Sequence, residues 1–298
     1  MILKTVVGSG QAGMRLDDGV KLLLPQLSKG QIRRIIDWGG CTIRNVCVRV
    51  ASRTLVEGDD ITVGVMEPEL CRELTYCAEE MLYEDNNCLA VNKAAGVNCQ
   101  RTPYQLKGTV EYAVGVYMKG QGSKEPARVI HRLDRGTSGV MVFPKDKKYA
   151  AHLSALLQEG KIAKTYLALA TGNPPQQQWL TDAPIAKIAK SRYGVATPGR
   201  EAQTGFRVIA AGTGAVLIEA TPLTGRTHQI RVHLEHCGLP IVGDPVYGGV
   251  SAPRMMLHCR NMAFAAGHGK QISITAPLDE QFISICKEFG VDKAVMSY

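Results

Sequence analysis

The sequence predicts an α+β protein built from two modules, and three observations support this prediction. The chain has 298 residues, which exceeds the usual size of one small domain and allows a second hydrophobic core. Its first part shows two helical patterns followed by short β segments. The remainder alternates short apolar runs of strand length with helical patterns. We therefore expect a first module over residues 13–66, a linker over 67–78 without strong periodicity, and a second module over 79–298.

The first module opens with two predicted helices. Apolar residues recur at helical spacing from Leu16, and Pro25 ends that helix because its ring does not fit a helix interior. Ser28 and Gln31 have the spacing of a capping box, so a second helix is expected from Lys29 to Trp38. Two short β segments should follow, at residues 41–50 and 61–65.

The second module is expected to mix strands and helices. The strand-like runs are residues 88–92, 140–143, 165–170, 216–220 and 272–275, and the helical patterns are 109–117 and 149–157. A further helix is predicted around Ile230 and Leu234, which are four residues apart. Thr227 fits as its N-cap and Gly238 as its C-terminal stop.

The composition indicates the class of partner and the compartment. The net charge of +8 favours a polyanion such as RNA, DNA or an acidic membrane surface. No apolar run approaches the roughly 20 residues that span a bilayer, and the start lacks the features of a secretion signal. Nine cysteines without a C-x-x-C pair are typical of reduced thiols. We therefore expect a cytoplasmic protein that does not contact membranes.

Basic residues are concentrated in the first module. Six of them lie between residues 28 and 53, against the single acid Asp37: Lys29, Arg33, Arg34, Arg44, Arg49 and Arg53. Arg33 and Arg34 lie beside the apolar stripe of the second helix and must point outward. Such charges are consistent either with a solvated helix face or with a surface that binds RNA phosphates.

The run HRLDRGTSG, from His131 to Gly139, places Asp134 between Arg132 and Arg135, directly before a predicted strand. Three adjacent charges on a loop often form only an exposed salt-bridge cluster. A carboxylate on a loop next to a buried strand is also where function tends to be placed. From the residues alone, both interpretations of Asp134 stay open.

Several further motifs follow in order along the second module. They are KAAG from Lys93 to Gly96, KTY from Lys164 to Tyr166, GRTHQIR from Gly225 to Arg231, GLPIVGDPVYG from Gly238 to Gly248, and Leu257-His258. Together with HRLDRGTSG, they resemble the motifs of the RluA-type RNA pseudouridine synthases over residues 82–274. One departure is Ala94, where the family has proline, a change that removes no chemical group. The first module resembles an S4 RNA-binding domain, except that Asn45 is followed by Val46 instead of glycine.

The resemblance implies a fold and a reaction. It implies a pseudouridine synthase fold with a mixed, largely antiparallel β-sheet and a central RNA-binding cleft, plus a small N-terminal S4-like α/β domain. The reaction is the isomerisation of uridine to pseudouridine, which requires neither a redox partner nor a group donor. We therefore expect no cofactor. The spacing of His228, His233 and His236 is not H-E-x-x-H and no acid completes a triad, so no metal site is predicted.

The resemblance also implies roles for particular residues. Asp134 is the catalytic carboxylate, and Arg231 is the partner that keeps it ionised. Arg132 enters the space that the flipped uridine leaves, while Tyr166 and Leu257 sandwich the base. In the S4-like module, the residues expected to contact the RNA backbone are Lys29, Arg33, Arg34 and Arg44.

The expected substrate is large-subunit ribosomal RNA, modified by a monomer of the synthase C/D type. Transfer RNA is an alternative substrate. A silent RNA-binding protein and an N-glycoside hydrolase are alternative functions, although hydrolysis commonly uses two carboxylates and only one candidate is present.

Overall fold

The computed structural model describes residues 2–37, 39–64, 74–101, 107–267 and 270–296. Contacts within the chain divide it into two compact units. The first unit comprises Met1–Tyr76 and Gln100–Gly122, and the second comprises Cys77–Cys99 and Ser123–Tyr298. The first unit therefore includes residues before and after the predicted module 13–66. The predicted linker 67–78 lies largely outside the described residues.

Among its described residues, the first unit contains a four-stranded antiparallel sheet and three α-helices. The sheet order is β1-β4-β2-β3, formed by β1 (Ile2–Val6), β2 (Cys41–Ile43), β3 (Val46–Cys47) and β4 (Asp60–Gly64). The helices are α1 (Leu16–Leu23), α2 (Lys29–Asp37) and α3 (Val110–Gly120). Sequence analysis did not predict β1, because its side chains are alternately exposed and half-exposed, so no apolar face marks it.

The capping box that begins α2 is confirmed. The Ser28 amide donates to Oε1 of Gln31 at 2.8 Å, and the Gln31 amide donates to Oγ of Ser28 at 3.3 Å. The hairpin from β2 to β3 turns through Arg44 and Asn45, whose φ angles are 49° and 63°. Two successive positive φ angles are the geometry of a type I′ turn, which therefore forms here without glycine.

Asp17 joins α1 to α2 through two arginines. Its side chain is fully buried and accepts hydrogen bonds from Nε of Arg15 at 2.9 Å and from Nε of Arg33 at 2.6 Å. The hydrogen bond from Arg15, followed by the one from Arg33, outweighs burial and lowers the pKa of Asp17 to about 2. Arg33 points outward, as predicted, but it also has this structural partner.

We expect Asp17→Asn to change the acid stability of the chain. Because the folded state lowers the pKa of this carboxyl, its contribution is present above the unfolded pKa near 3.9 and is lost as the pH falls towards about 2. The variant should be less stable at pH 7 by about 1.5–3 kcal/mol and should lose less further stability between pH 4 and pH 2. Denaturant unfolding at a series of pH values checks this, with exposed Asp37→Asn as the control. Equal losses of unfolding free energy between pH 4 and pH 2 in Asp17→Asn and Asp37→Asn would contradict this role of Asp17.

The second unit is built on a nine-stranded sheet. The order is β5-β6-β7-β14-β8-β13-β12-β9, with β15 paired to β14. Its strands are β5 (Met81–Glu84), β6 (Cys88–Lys93), β7 (Ser138–Pro144), β8 (Ala163–Thr171), β9 (Gln178–Thr181), β12 (Thr204–Ala211), β13 (Ala215–Pro222), β14 (Leu257–Gly267) and β15 (Lys270–Thr275). A separate hairpin is formed by β10 (Ile185–Ala189) and β11 (Arg192–Val195). Among the strand pairings of the described residues, only β7 with β14 is parallel, so the mixed and largely antiparallel sheet is confirmed.

The described part of the second unit also contains four α-helices: α4 (Lys147–Gln158), α5 (Gln229–His236), α6 (Glu280–Glu288) and α7 (Asp292–Met296). Leu234 of α5 and Phe282 of α6 are fully buried in the core formed with β8 and β13. Thr227 is not the N-cap of α5. His228 takes that position with φ of 57° and makes no side-chain capping hydrogen bond. None of the described helices is both long enough and apolar enough to cross a bilayer.

Gly139 allows β7 to approach β14. Its φ is 117°, and a Cβ at this position would lie 2.1 Å from the carbonyl oxygen of Cys259. Only glycine tolerates both the conformation and the contact. The parallel pair then places the loop that precedes β7, which carries Asp134, beside Leu257 at the start of β14.

Candidate active site

A cleft of about 570 Å³ lies within the second unit. Four segments line it: the loop before β7, the end of α4 with β8, the loop before α5 together with the first turn of α5, and the first residue of β14. The structure brings together in this cleft all five residues that the sequence predicted for the second module: Arg132, Asp134, Tyr166, Arg231 and Leu257.

Asp134 and Arg231 form an ion pair in the cleft. Nη1 of Arg231 donates to Oδ2 of Asp134 at 2.8 Å. The Arg231 side chain is only 7% exposed, whereas that of Asp134 is 22% exposed and remains accessible from the cleft. A charge-assisted hydrogen bond of this length holds the carboxylate in a fixed orientation. The arrangement therefore presents a charged oxygen nucleophile or base to a molecule in the cleft.

Asp244 holds Arg231 in place, and the sequence analysis did not identify this role. Its fully buried carboxylate accepts from Nε of Arg231 at 2.7 Å and from Nη2 at 2.9 Å. The amides of Val246 and Tyr247 also donate to it, at 2.9 and 3.2 Å. Burial opposes the charge of Arg231, but the hydrogen bonds to Asp244 and Asp134 outweigh it and raise the pKa of Arg231. The signal available in the sequence was the motif GLPIVGDPVYG, which contains Asp244.

Lys93 fixes the turn that carries Asp134. Its fully buried ammonium donates to the carbonyl oxygens of Ala94 at 3.0 Å, Val97 at 2.8 Å and Arg135 at 3.2 Å. Burial lowers the pKa of Lys93 to about 8. Gly96 adds backbone support, because its amide donates to the Arg135 carbonyl at 2.8 Å and its carbonyl accepts from Nε of Arg135 at 2.9 Å. The KAAG motif therefore acts through the backbone of the loop that carries Asp134.

Tyr166 and Leu257 lie on neighbouring strands of the sheet. In the register of β8 with β14, Tyr166 is opposite Cys259 and Ala168 is opposite Leu257. The side chains of Tyr166 and Leu257 therefore lie on the same face of the sheet. Leu257 is 3% exposed. Burial, followed by the neighbouring Cys259, raises the pKa of Tyr166 well above its usual range, so its phenol stays protonated. Tyr166 and Leu257 therefore provide one aromatic and one aliphatic wall of the cleft.

Arg132 differs from Arg231 in its surroundings. It is exposed, it lines the cleft, and within the described part of the chain it has no carboxylate partner. An unpaired guanidinium at the rim of a cleft can interact with the bases or phosphates of a nucleic acid.

The four basic residues predicted to contact RNA belong to the first unit. Three of them pair with carboxylates: Lys29 with Asp18 at 2.6 Å, Arg33 with Asp17 at 2.6 Å, and Arg44 with Asp59 at 3.1 Å. Arg34 is exposed, and no acidic partner is present among the described residues. The sequence analysis did not anticipate these internal pairings, because the acids lie on other elements of the same unit.

Two histidines of the stretch GRTHQIRVH, from Gly225 to His233, have partners of their own and are not grouped for metal binding. His233 contacts Oγ1 of Thr204 at 2.9 Å and the carbonyl of Ala183 at 3.0 Å. His228 instead contacts the hydroxyl of Tyr247 at 2.9 Å and lies 3.8 Å from Asp134. Across the residues that the structure describes, no three histidine, cysteine or acidic side chains are arranged to hold a metal ion.

Comparisons with known proteins identify the family of this chain. The family model for RNA pseudouridylate synthase matches residues 87–236, half of the chain. Ribosomal large subunit pseudouridine synthase D of Nitrosomonas europaea is 29% identical over 95% of this chain and 86% of that protein. Ribosomal large subunit pseudouridine synthase C of Vibrio vulnificus is 28% identical over 96% of each chain.

Solved structures share the fold. Human RNA pseudouridylate synthase domain containing 4 has a TM-score of 0.61 and 22% identity, over 71% of this chain and 93% of that one. The family match, the collinear motifs and the shared fold lead to one conclusion: this chain belongs to the RNA pseudouridylate synthase family and is an RluA-type RNA pseudouridine synthase.

Proposed function

We propose that this chain converts specific uridines of large-subunit ribosomal RNA to pseudouridine, with Asp134 as the reacting carboxylate. The observation that carries the proposal is the Asp134–Arg231 ion pair, placed in a cleft that Tyr166 and Leu257 also line. The choice of RNA is supported by the names of the two bacterial relatives, which match more than nine tenths of this chain.

The chemistry requires few groups. The bond from ribose C1′ to N1 of uracil breaks, a bond from C1′ to C5 forms, and the hydrogen of C5 is replaced by one on N1. Substrate and product are isomers, so the balance needs no oxidant, reductant or group donor, and we propose that the enzyme uses no cofactor. An ionised carboxylate near the ribose and the base supplies the nucleophile or base.

The target uridine must leave its stack to reach Asp134, which costs a few kcal/mol. We propose that Arg132 occupies the vacated space and that Tyr166 and Leu257 hold the flipped base. Diagonal neighbours on adjacent strands lie about 7–8 Å apart, a spacing that accommodates one flat ring between two side chains. Stacking of a base on an aromatic side chain contributes about 1–3 kcal/mol, enough to offset much of the flipping cost.

Mapping of pseudouridine in total RNA tests the choice of substrate. Cells with and without this gene should differ at one or a few positions of large-subunit ribosomal RNA, and the wild-type gene should restore them. Differences confined to transfer RNA would show that transfer RNA, and not ribosomal RNA, is the substrate. An unchanged pseudouridine map, together with free uracil released by the purified protein, would favour the hydrolase instead.

We further propose that the module over residues 13–66 anchors the enzyme on RNA through Lys29, Arg33, Arg34 and Arg44. The support is the excess of basic residues on and after α2. Contacts of this kind bind phosphates and raise affinity without reading base sequence. Since Arg33 also pairs with Asp17, Arg34 is the residue whose replacement changes the proposed RNA surface alone.

Arg34→Gln is therefore expected to weaken RNA binding without altering the reaction. One lost phosphate contact should reduce the slope of log K against log salt by about 0.7–0.9. The rate at saturating RNA should stay at the wild-type value, because Arg34 does not line the cleft. Binding titrations at several salt concentrations check this, with Lys287→Gln on α6 as the matched control. Identical salt slopes in the wild type and Arg34→Gln would leave only the solvated-face interpretation.

The enzyme is proposed to act as a monomer in the cytoplasm. The cleft is lined entirely by residues of the second unit of one chain, so no second copy is needed to complete it. The eight cysteines that the structure describes carry free thiols, as is typical of proteins in reducing compartments.

A further inference from the structure

The two oxygens of the Asp134 carboxylate have different surroundings. Oδ2 accepts from Nη1 of Arg231 at 2.8 Å, and Nε2 of His228 lies 3.8 Å from the same oxygen. Oδ1 has no hydrogen-bond partner among the described residues. Nη1 of Arg231 and Nε2 of His228 therefore both lie beside Oδ2 rather than Oδ1.

We propose that His228 is a positioning residue for Asp134. As a neutral imidazole with its proton on Nε2, it joins Arg231 in orienting Oδ2, and Oδ1 is then the oxygen that reacts. This inference rests on the proposed role of Asp134. It adds that His228 orients the carboxylate and that Oδ1 is the reacting atom.

Tyr247 determines which nitrogen of His228 carries the proton. The Tyr247 hydroxyl oxygen accepts from the amide of Tyr193 at 3.1 Å, so its own hydrogen is available for another partner. The Nδ1 atom of His228 lies 2.9 Å from that oxygen and is the acceptor of this hydrogen in the proposed tautomer. A neutral imidazole that accepts at Nδ1 carries its proton on Nε2, the nitrogen nearer to Asp134.

The distance of 3.8 Å from Nε2 to Oδ2 exceeds a hydrogen bond of about 2.9 Å, so the proposal requires the two atoms to approach when RNA binds. Catalytic hydrogen bonds are often long in the absence of substrate and shorten in the complex. The imidazole plane is already restrained, because the Tyr193 and Tyr247 rings meet it edge-on, each with centroids 5.7 Å away.

The surroundings of His228 favour its neutral form. Burial is the largest influence and lowers the pKa of His228. The carboxylates of Asp134 and Asp244 favour protonation, whereas the guanidinium groups of Arg231 and Arg132 oppose it. A neutral imidazole that carries its proton on Nε2 can donate a hydrogen bond to the carboxylate of Asp134.

The backbone of His228 indicates that helix capping is not its role. Its φ of 57° is uncommon for a residue other than glycine, and it stands at the N-cap of α5 without making a capping hydrogen bond. Asparagine tolerates this conformation as well, but its side chain is too short to replace Nε2. Glutamine places its amide nitrogen closer to the position of the imidazole Nε2.

These differences define the experiment. His228→Asn is expected to lower kcat by about tenfold to a hundredfold, the effect of losing one hydrogen bond to a charged group, with KM for RNA unchanged. His228→Gln should recover at least half of that loss on a logarithmic scale. Tyr247→Phe should give an intermediate kcat, since the imidazole is retained but its tautomer is no longer fixed. The exposed His236→Asn serves as the control and should behave as wild type.

Nitrogen-15 NMR of the histidine side chains gives a readout that does not depend on activity. In the wild type, the His228 signal, identified by its loss in His228→Asn or His228→Gln, should show an unprotonated Nδ1 and a protonated Nε2. The Tyr247→Phe protein should show a mixture of tautomers. A protonated Nδ1 in the wild type would overturn the proposal.

The kinetic results separate this inference from the proposed function. Wild-type kcat in His228→Asn, combined with an inactive Asp134→Asn protein, would overturn the role of His228 alone. Equal losses in His228→Asn and His228→Gln, accompanied by lower melting temperatures, would also overturn it in favour of a purely structural role. An active Asp134→Asn protein would instead remove the proposed catalytic role of Asp134, while the NMR result would still report the tautomer.

Discussion

Replacement of Asp134 by asparagine is expected to lower the rate of pseudouridine formation at least about a thousandfold. The amide has nearly the shape of the carboxylate and still accepts a hydrogen bond from Arg231, but it lacks the charge and the nucleophilic oxygen. The fold should persist, because Arg231 keeps two hydrogen bonds to Asp244. RNA affinity should also persist, since Asp134 adds no positive charge to the binding surface.

Single-turnover kinetics with excess enzyme measure this effect without interference from product release. The matched control is Glu288→Gln, which removes one exposed carboxylate of α6 and should react at the wild-type rate. Melting temperature and RNA affinity of the Asp134→Asn protein should equal those of the wild type. Pseudouridine formation within tenfold of wild type would exclude Asp134 as the reacting carboxylate.

Replacement of Arg231 by methionine is expected to damage both stability and activity. The fully buried Asp244 would lose its charged partner, a change that typically costs about 3–5 kcal/mol of unfolding free energy. Asp134 would lose the donor that holds Oδ2, so the rate should also fall by at least about a hundredfold. Chemical denaturation and single-turnover kinetics measure the two losses separately.

A double variant separates the two effects of Arg231. In Arg231→Met/Asp244→Asn, the uncompensated buried charge is removed, so much of the lost stability should return. Activity should not return, because Asp134 still lacks its donor. An active double variant would show that Arg231 serves only to neutralise Asp244, and the catalytic interpretation of the Asp134–Arg231 pair would then fail.

Local patterns were sufficient where a structural signal is contained in a few neighbouring residues. Ser28 and Gln31 predicted the start of α2, since a capping box depends only on residues three apart. The positions of β6, β7, β8, β13 and β15 were similarly predicted from apolar runs. The residues gathered in the cleft were identified from motifs, and their roles stay predictions that the variants above test.

Features that depend on distant residues could not be predicted in this way. Asp244 lies in a recognised motif, but its pairing with Arg231 depends on how the loop after Pro240 returns to α5. The left-handed backbone at His228 replaced the predicted N-cap Thr227, because the turn is set by contacts with Tyr247 and Tyr193 rather than by its own sequence. The partners of Lys29, Arg33 and Arg44 are likewise acids from other elements of the first unit.

The position of β14 in the sheet has a consequence for how the chain acquires activity. This strand lies between β7 and β8, although about a hundred residues separate it from each of them in the sequence. While the ribosome is still synthesising the chain, β7 and β8 each have an unpaired edge until residues 257–267 emerge. Such edges are prone to pair with other chains, and non-local pairing slows folding. Pseudouridine formation is therefore expected only after β14 has joined the sheet, and a nascent chain that ends before Leu257 is expected to be inactive and prone to aggregation.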